Sequence, residues 1–274
     1  MRTRSRSVAV CLEMTSTSPD KTGTVTRAVA RRISAAAFWL AVWQAAAVAV
    51  HRDFLLASPM QVARTLVTLL PTVDFWGTIG WSLGRIALGF TGAAVLGAVL
   101  AISSAAWPVA RALWEPAIAA IRSAPVVSFI ILLLLWTDSS HLPVFTSLLM
   151  VLPVMYANVL QGIAQRDPQM LEAARVFRVP FRRRLVAIDI PAALPFLAAA
   201  CRVGVGLAWK SGVAAEVIGV ATGSIGERLY EAKVFLSSTD LFAWTIVIVV
   251  LSVACERLLL RALRSVPGAP VRAA

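Results

Sequence analysis

The amino-acid sequence predicts an all-α polytopic membrane bundle of about six transmembrane helices, and three observations predict it. Of the 274 residues, 59% are hydrophobic and only 15% are charged, with a mean hydropathy of +0.79. A soluble chain of this size has too little interior to hide that much apolar surface. The apolar residues gather in uncharged runs at 33–50, 86–110 and 142–165, each long enough, or nearly so, for the roughly 20 residues that cross a bilayer. The 26 Lys and Arg residues, which produce a net charge of +12, lie in patches between the runs. These facts exclude a soluble enzyme, a secreted disulfide scaffold and a disordered chain.

Residues 1–32 are rich in Ser, Thr and Arg, too polar to fold alone, and are expected to form a flexible basic tail. The apolar stretch near Cys11 is too short for a secretory leader and Glu13 interrupts it, while Val10 stands where lipid attachment needs a small residue. Arg31 and Arg32 ahead of an apolar run resemble a twin-arginine leader, but the run is expected to be kept as the first span, 33–50. The other expected spans are 82–106, 116–137, 142–164, 192–214 and 241–262, giving a permease unit of 33–263 and a short tail of 264–274. The third and sixth have short charge-free cores and must borrow flanking residues whose charged tips snorkel outward.

Counting Lys and Arg orients the bundle. With the N-terminus inside, 19 of the 26 fall on the cytoplasmic side, four outside and three within spans. Both termini are therefore expected in the cytoplasm, and topology accounts for the positive charge without nucleic acid. Cys11, Cys201, Cys255, His51 and His141 are scattered, with no spacing that suggests a metal site or a disulfide framework. The two halves share no spacing of Gly, Pro or charge, which weighs against secondary transporters built from repeats.

The most informative stretch lies between the fourth and fifth spans, at about 165–191. Asp167 is a good N-cap, Pro168 suits the first helical position, and Val179 followed by Pro180 disfavours continuation, so a helix of about three turns is expected. Met170, Ala173, Ala174 and Phe177 fall at i, i+3, i+4 and i+7, an apolar stripe beside Glu172, Arg175 and Arg178. Small alanines admit a partner closely, the aromatic offers an anchor, and the charges pair at a rim. The stripe by itself also fits an amphipathic helix resting on the bilayer.

Glu172-Ala173-Ala174, followed at the right spacing by Ile188, Ile190 and Pro191, resembles the EAA loop of membrane subunits of binding-protein-dependent ABC importers. The pattern places glycine where this chain has Arg178, so the turn there falls to Arg178 or to Val179 and Pro180. Further segments are similar to the permeases of the nitrate, sulfonate and taurine branch. They are Ser82-Leu83-Gly84-Arg85, Gly89-Phe90, Pro125, Asn158 with Gly162, the stretch from Arg202 to Trp209, Ala215-Glu216, and Gly223-Ser224-Ile225-Gly226. The resemblance implies a multi-pass permease of the bacterial inner membrane that moves a small solute driven by a separate cytoplasmic ATPase dimer. It further implies a second permease chain, most simply making a homodimer, and an extracytoplasmic binding protein. Met170, Glu172, Ala173, Ala174, Phe177, Arg178, Ile188 and Pro191 would form the loop that couples to the ATPase. The competing reading is a secondary transporter or channel.

No cofactor is expected. The stretch from Gly204 to Ser211 comes near the phosphate-binding pattern GxxxxGK[ST], but Trp209 replaces the second glycine, where a phosphate cradle needs bare backbone. No catalytic constellation is present, so the chain is expected to be non-catalytic. Gly80, Gly84, Gly92, Ala93 and Gly97 in the second span, and Gly204, Ala208 and Gly212 in the fifth, are spaced for close helix contact. Arg85, Asn158, Arg202, Lys210 and Glu216 are the candidates for the solute path or a gate, because ionised groups in a span must pair, face a cavity or reach an interface. Arg202 lies about 16 Å along the helix from Pro191, near mid-membrane. Glu216 is expected to pair with Lys210 or Arg202, or to help form an outer gate.

Overall fold

The computed structural model describes residues 21–50 and 55–264. Of the expected tails, 1–32 and 264–274, residues 1–20 and 265–274 lie outside the described residues. Two units are distinguished, divided after His51. The first contains α1 (Lys21–Val50), in which the apolar part is Ser34–Val50. The expected boundary at residue 33 thus falls inside a helix that begins at Lys21.

Among the described residues of the second unit, all regular secondary structure is helical. It comprises α2 (Pro59–Leu69), α3 (Val73–Ala106), α4 (Pro108–Ser123), α5 (Val126–Leu134), α6 (Leu142–Ala164), α7 (Pro168–Val176) and α8 (Phe181–Arg184). A π-helical turn at Leu185–Asp189 then leads into α9 (Ile190–Gly219), followed by α10 (Ile225–Val234) and α11 (Ser238–Arg264). Among the described residues, four helical segments are long and apolar enough to cross a membrane, or five if the bent pair α4–α5 counts as one span.

The fourth, fifth and sixth expected spans are found as α6, α9 and α11, with α9 and α11 extended at their ends. The second begins nine residues early. Thr72 accepts a bond from the Phe75 amide, and Phe75, Thr78, Ile79 and Ser82 continue the buried stripe that runs on through Ile86, Gly89, Ala93, Gly97 and Ala101. The expected third span, 116–137, is not one helix. Ala124 is extended (ψ 140°) ahead of Pro125, and α4 and α5 meet at 100°. Proline disfavours helical geometry in the residue before it and has no N–H to continue the ladder.

The core is the packed trio α3, α6 and α9. Gly89 lies against the Val144 carbonyl and Ser147, and a Cβ at Gly97 would meet Met155 Cβ at 2.7 Å. Added at Gly212, it would meet Ile86 at 2.6 Å and Ser147 Oγ at 2.7 Å. These glycines let backbones approach where no hydrophobic force acts between helices. A Cβ at Gly80 or Gly84 would meet nothing within 4 Å, so the close helix contact expected of them is not made among the described residues. Ser147 Oγ donates to the Ala208 carbonyl at 3.0 Å and Trp209 Nε1 to the Ile248 carbonyl at 2.9 Å, tying α6 and α11 to α9. The opposite face of α3 presents Trp81, Leu88, Val95 and Ile102, the apolar exterior required of a helix in lipid.

Candidate coupling loop and buried polar node

The loop helix forms as its residues dictate. Asp167 accepts from the Gln169 amide at 2.8 Å and Pro168 opens α7. The helix ends at Phe177 because Arg178 adopts a left-handed conformation, φ 49°. The Val179 amide donates to the Ala174 carbonyl (2.9 Å) and the Arg178 amide to the Arg175 carbonyl (3.1 Å), the paired bonds of a Schellman ending. Arg178 itself therefore makes the turn, at a position where glycine would carry no strain. A left-handed conformation costs an L-residue roughly 1–2 kcal/mol, and glycine's greater unfolded-state entropy offsets roughly 0.5–1 kcal/mol of that. Arg178→Gly is expected to strengthen the turn by about 0.5–1 kcal/mol. Slower hydrogen exchange at the Arg178 and Val179 amides is the measurement; faster exchange refutes the strain argument.

The expected stripe divides between two faces. Ala174 is the only buried residue of α7 and Leu171 is half-buried, whereas Met170, Glu172, Ala173, Val176 and Phe177 are exposed, Phe177 at 79%. An apolar strip bordered by an acid thus stands uncovered on a helix that barely touches the bundle. Ile188 lies in the π-helical turn and Pro191 in the first turn of α9. Asp189, between them, was not singled out by sequence reasoning. Its carboxylate is buried and receives Arg166 Nη1 at 2.8 Å and Arg184 Nε at 3.3 Å.

At the far end of α9, about 39 Å from Ile190 at 1.5 Å per residue, a second polar cluster is closed inside protein. Glu216 is fully buried, and its Oε2 accepts from Ser82 Oγ (3.0 Å) and from the Gly226 amide (3.2 Å). Ser82 Oγ also accepts from the Ile225 amide at 2.9 Å. One carboxylate thereby joins α3, α9 and the start of α10. The chain can enter α10 this closely because Val220 (φ 47°) and Gly223 (φ 72°) turn it and Ser224 caps the helix by accepting from the Glu227 amide. Arg85 reaches the Thr222 carbonyl at 3.5 Å and lies 5.4 Å from the Trp81 ring. Glu216 Oε1 and Arg85 Nη1 are buried without hydrogen-bond partners among the described residues. The expected pairing of Glu216 with Lys210 or Arg202 is not made; Ser82 and the α10 amide take its place.

Arg202 and Lys210 are instead exposed on one face of α9, with Val203 and Gly206 between them. Neither has an ion-pair or hydrogen-bond partner among the described residues. Asn158 is half-buried and donates to the Val154 carbonyl of its own helix at 2.8 Å. The structure thus brings Arg85 and Glu216 to one end of the bundle and leaves Asn158, Arg202 and Lys210 apart from them. No group of His, Cys, Asp or Glu is placed to hold a metal among the described residues.

With this geometry in view, residues 93–264, more than half the chain, match the family described as binding-protein-dependent transport system inner membrane component. The chain belongs to that family. As such an inner membrane component it is a permease subunit of an ABC importer. It is 28% identical over 214 residues to a Bacillus subtilis (strain 168) protein named for aliphatic sulfonates transport, covering 77% of each chain. It is 27% identical to the taurine transport system permease of Escherichia coli (strain K12), covering 88% of this chain and 89% of that one. Its fold is similar to a crystal structure of an amino acid ABC transporter with histidines, at a TM-score of 0.56 and 19% identity, over 73% of this chain and 94% of the other.

Proposed function

We propose that this permease pairs with a second copy of itself, that α7 docks into a separate cytoplasmic ATPase dimer, and that an extracytoplasmic binding protein delivers the solute. Both termini are then cytoplasmic, in keeping with the distribution of Lys and Arg. The observation that carries the reading is the uncovered strip of Met170, Ala173, Val176 and Phe177 beside Glu172, on a helix whose one buried residue is Ala174. A lone surface helix has little reason to hold such a strip away from its own core, whereas a groove on a partner would cover it. Depleting ATP while the proton gradient is held should stop uptake, and the ATPase should copurify with this chain. Uptake that follows the proton gradient and ignores ATP identifies a secondary transporter instead.

The proposed solute is a small anion or zwitterion of the sulfonate, taurine or nitrate kind. Relatives named for aliphatic sulfonates and taurine support this, as does the exposed α9 face carrying Arg202 and Lys210, about 12 Å apart along the axis. Two unpaired cations on a membrane helix need water or an anion opposite them, and a guanidinium matches sulfonate or nitrate oxygens through paired donors. In a homodimer this face would line a path between the two chains. Arg202→Gln is expected to assemble normally, dock the binding protein and lower uptake about tenfold or more. Unchanged uptake by the assembled variant removes Arg202 from the path.

A further inference from the structure

The loop that carries α7 is closed at its base by a bond across 23 residues. Arg166 follows the end of α6; its Nη1 donates to Asp189 Oδ1 at 2.8 Å and its Nε donates to the Ile163 carbonyl at 2.6 Å. One guanidinium thus caps the last turn of α6 and grips the residue that leads into α9. Arg184, from α8, holds the other carboxylate oxygen. Asp189 ends a π-helical turn, a local widening of the helix that is frequently found at functional positions. The clamp borders a cavity of about 330 Å³ lined from α3 by Ile102 and Ala105. That cavity leaves room for the joined base of α6 and α9 to shift against α3.

A helix with one buried residue cannot pass force to the bundle through its side. It acts through its ends, and those ends run to α6 and α9. If the two ends were free to splay, a push on α7 would be absorbed by the loop. With Asp189 holding both arginines, the segment 166–189 is a closed ring.

We propose that Asp189, held between Arg166 and Arg184, is the positioning residue that makes this ring a rigid lever, so that displacement of α7 moves α6 and α9 together. The proposal rests on α7 being the element that docks the ATPase. It assigns Asp189 no contact with nucleotide, solute or partner.

The test uses the complete importer reconstituted in vesicles, with solute uptake and ATP hydrolysis measured side by side in complexes isolated as assembled particles. Asp189→Asn replaces one accepting oxygen by an amide that opposes a guanidinium. Its assembled complexes are expected to go on hydrolysing ATP while uptake per ATP falls about tenfold or more. Asp189→Glu, which keeps both acceptors, is expected to recover most of the coupling. Arg166→Lys keeps the charge but loses the second bond to Ile163, and is expected to lose coupling in part. A residue needed only for folding would lower the yield of complex and leave uptake per ATP unchanged. Wild-type uptake per ATP in assembled D189N overturns the proposal; should D189N fail to assemble, wild-type coupling in R166K overturns it. Glu172→Lys separates the levels. If it uncouples and D189N does not, the lever alone is wrong; if Glu172→Lys and Ala173→Trp both couple normally, the docking role of α7 falls and the lever falls with it.

Discussion

Ala173→Trp is expected to leave folding and membrane insertion intact and to lower solute uptake by at least about tenfold, through lost or misaligned engagement of the ATPase. The first half follows from exposure. Ala173 is exposed, and substitutions at such positions usually change stability by no more than about 0.5 kcal/mol. The second half follows from size. On the proposed docking face the residue between Met170 and Phe177 is a methyl group, and indole burial amounts to roughly 150–250 Å². A groove matched to alanine must open or reject it. Glu172→Lys acts on the same face by charge and is expected to have a smaller effect, because rim charges contribute less than central contacts. Uptake into vesicles and copurification of the ATPase are the two readouts. Normal uptake with the ATPase still bound would show that this face of α7 is not the docking surface.

The elements legible in the sequence were those fixed by local signals. α6 runs from Leu142 to Ala164 because no charge interrupts it, and α7 begins at Pro168 because Asp167 and Pro168 together specify a helix start. The start of α3 was missed because Asp74, Gly77 and Gly80 lower the local hydropathy, while the burial that keeps the helix going is tertiary. The break at Pro125 had a local sign in Ala124-Pro125, yet the apolar residues on either side resemble one span when only hydropathy is read. Arg178 stood at a motif glycine, itself a sign that the backbone there is left-handed. The Asp189 clamp had no such sign, since Arg166 is 23 residues away beyond the end of α6, and Arg184, five residues away, is one of three consecutive arginines with nothing to single it out. The pairing of Glu216 was misjudged for a geometric reason that a helical wheel exposes. Lys210 is six residues away, about 120° around the helix, and Arg202 is fourteen away, about 21 Å along it. Neither can reach across its own helix, so the partner had to come from elsewhere in the fold.

Gly226→Ala is expected to be among the most destabilising single changes in the chain. Its Cβ would clash with Glu216 Cβ and lie 2.5 Å from the Glu216 carbonyl carbon and the Val217 amide nitrogen. Two of these neighbours are backbone, so no side-chain rotation relieves the overlap, and α10 must move away from α9. That movement breaks the Gly226 amide bond to Glu216 and the Ile225 amide bond to Ser82, leaving two amides buried without partners and the carboxylate with Ser82 Oγ alone. Overpacking alone costs about 1–3 kcal/mol, and each stranded buried group roughly 1–3 kcal/mol more. Glu216→Ala removes the acceptor without the overlap and strands only Ser82 Oγ–H and the Gly226 amide, so it should cost less than Gly226→Ala. Glu216→Gln keeps an oxygen that can accept both bonds and should cost least. The order wild type, E216Q, E216A, G226A in falling Tm, measured on detergent-purified chain by loss of the monodisperse peak on heating, is the expected result. G226A as stable as wild type would mean that α10 does not sit on α9 in this way. E216Q falling below E216A would mean that the charge, rather than the two hydrogen bonds, holds α3, α9 and α10 together, and would point to the nearby Arg85 guanidinium as its source.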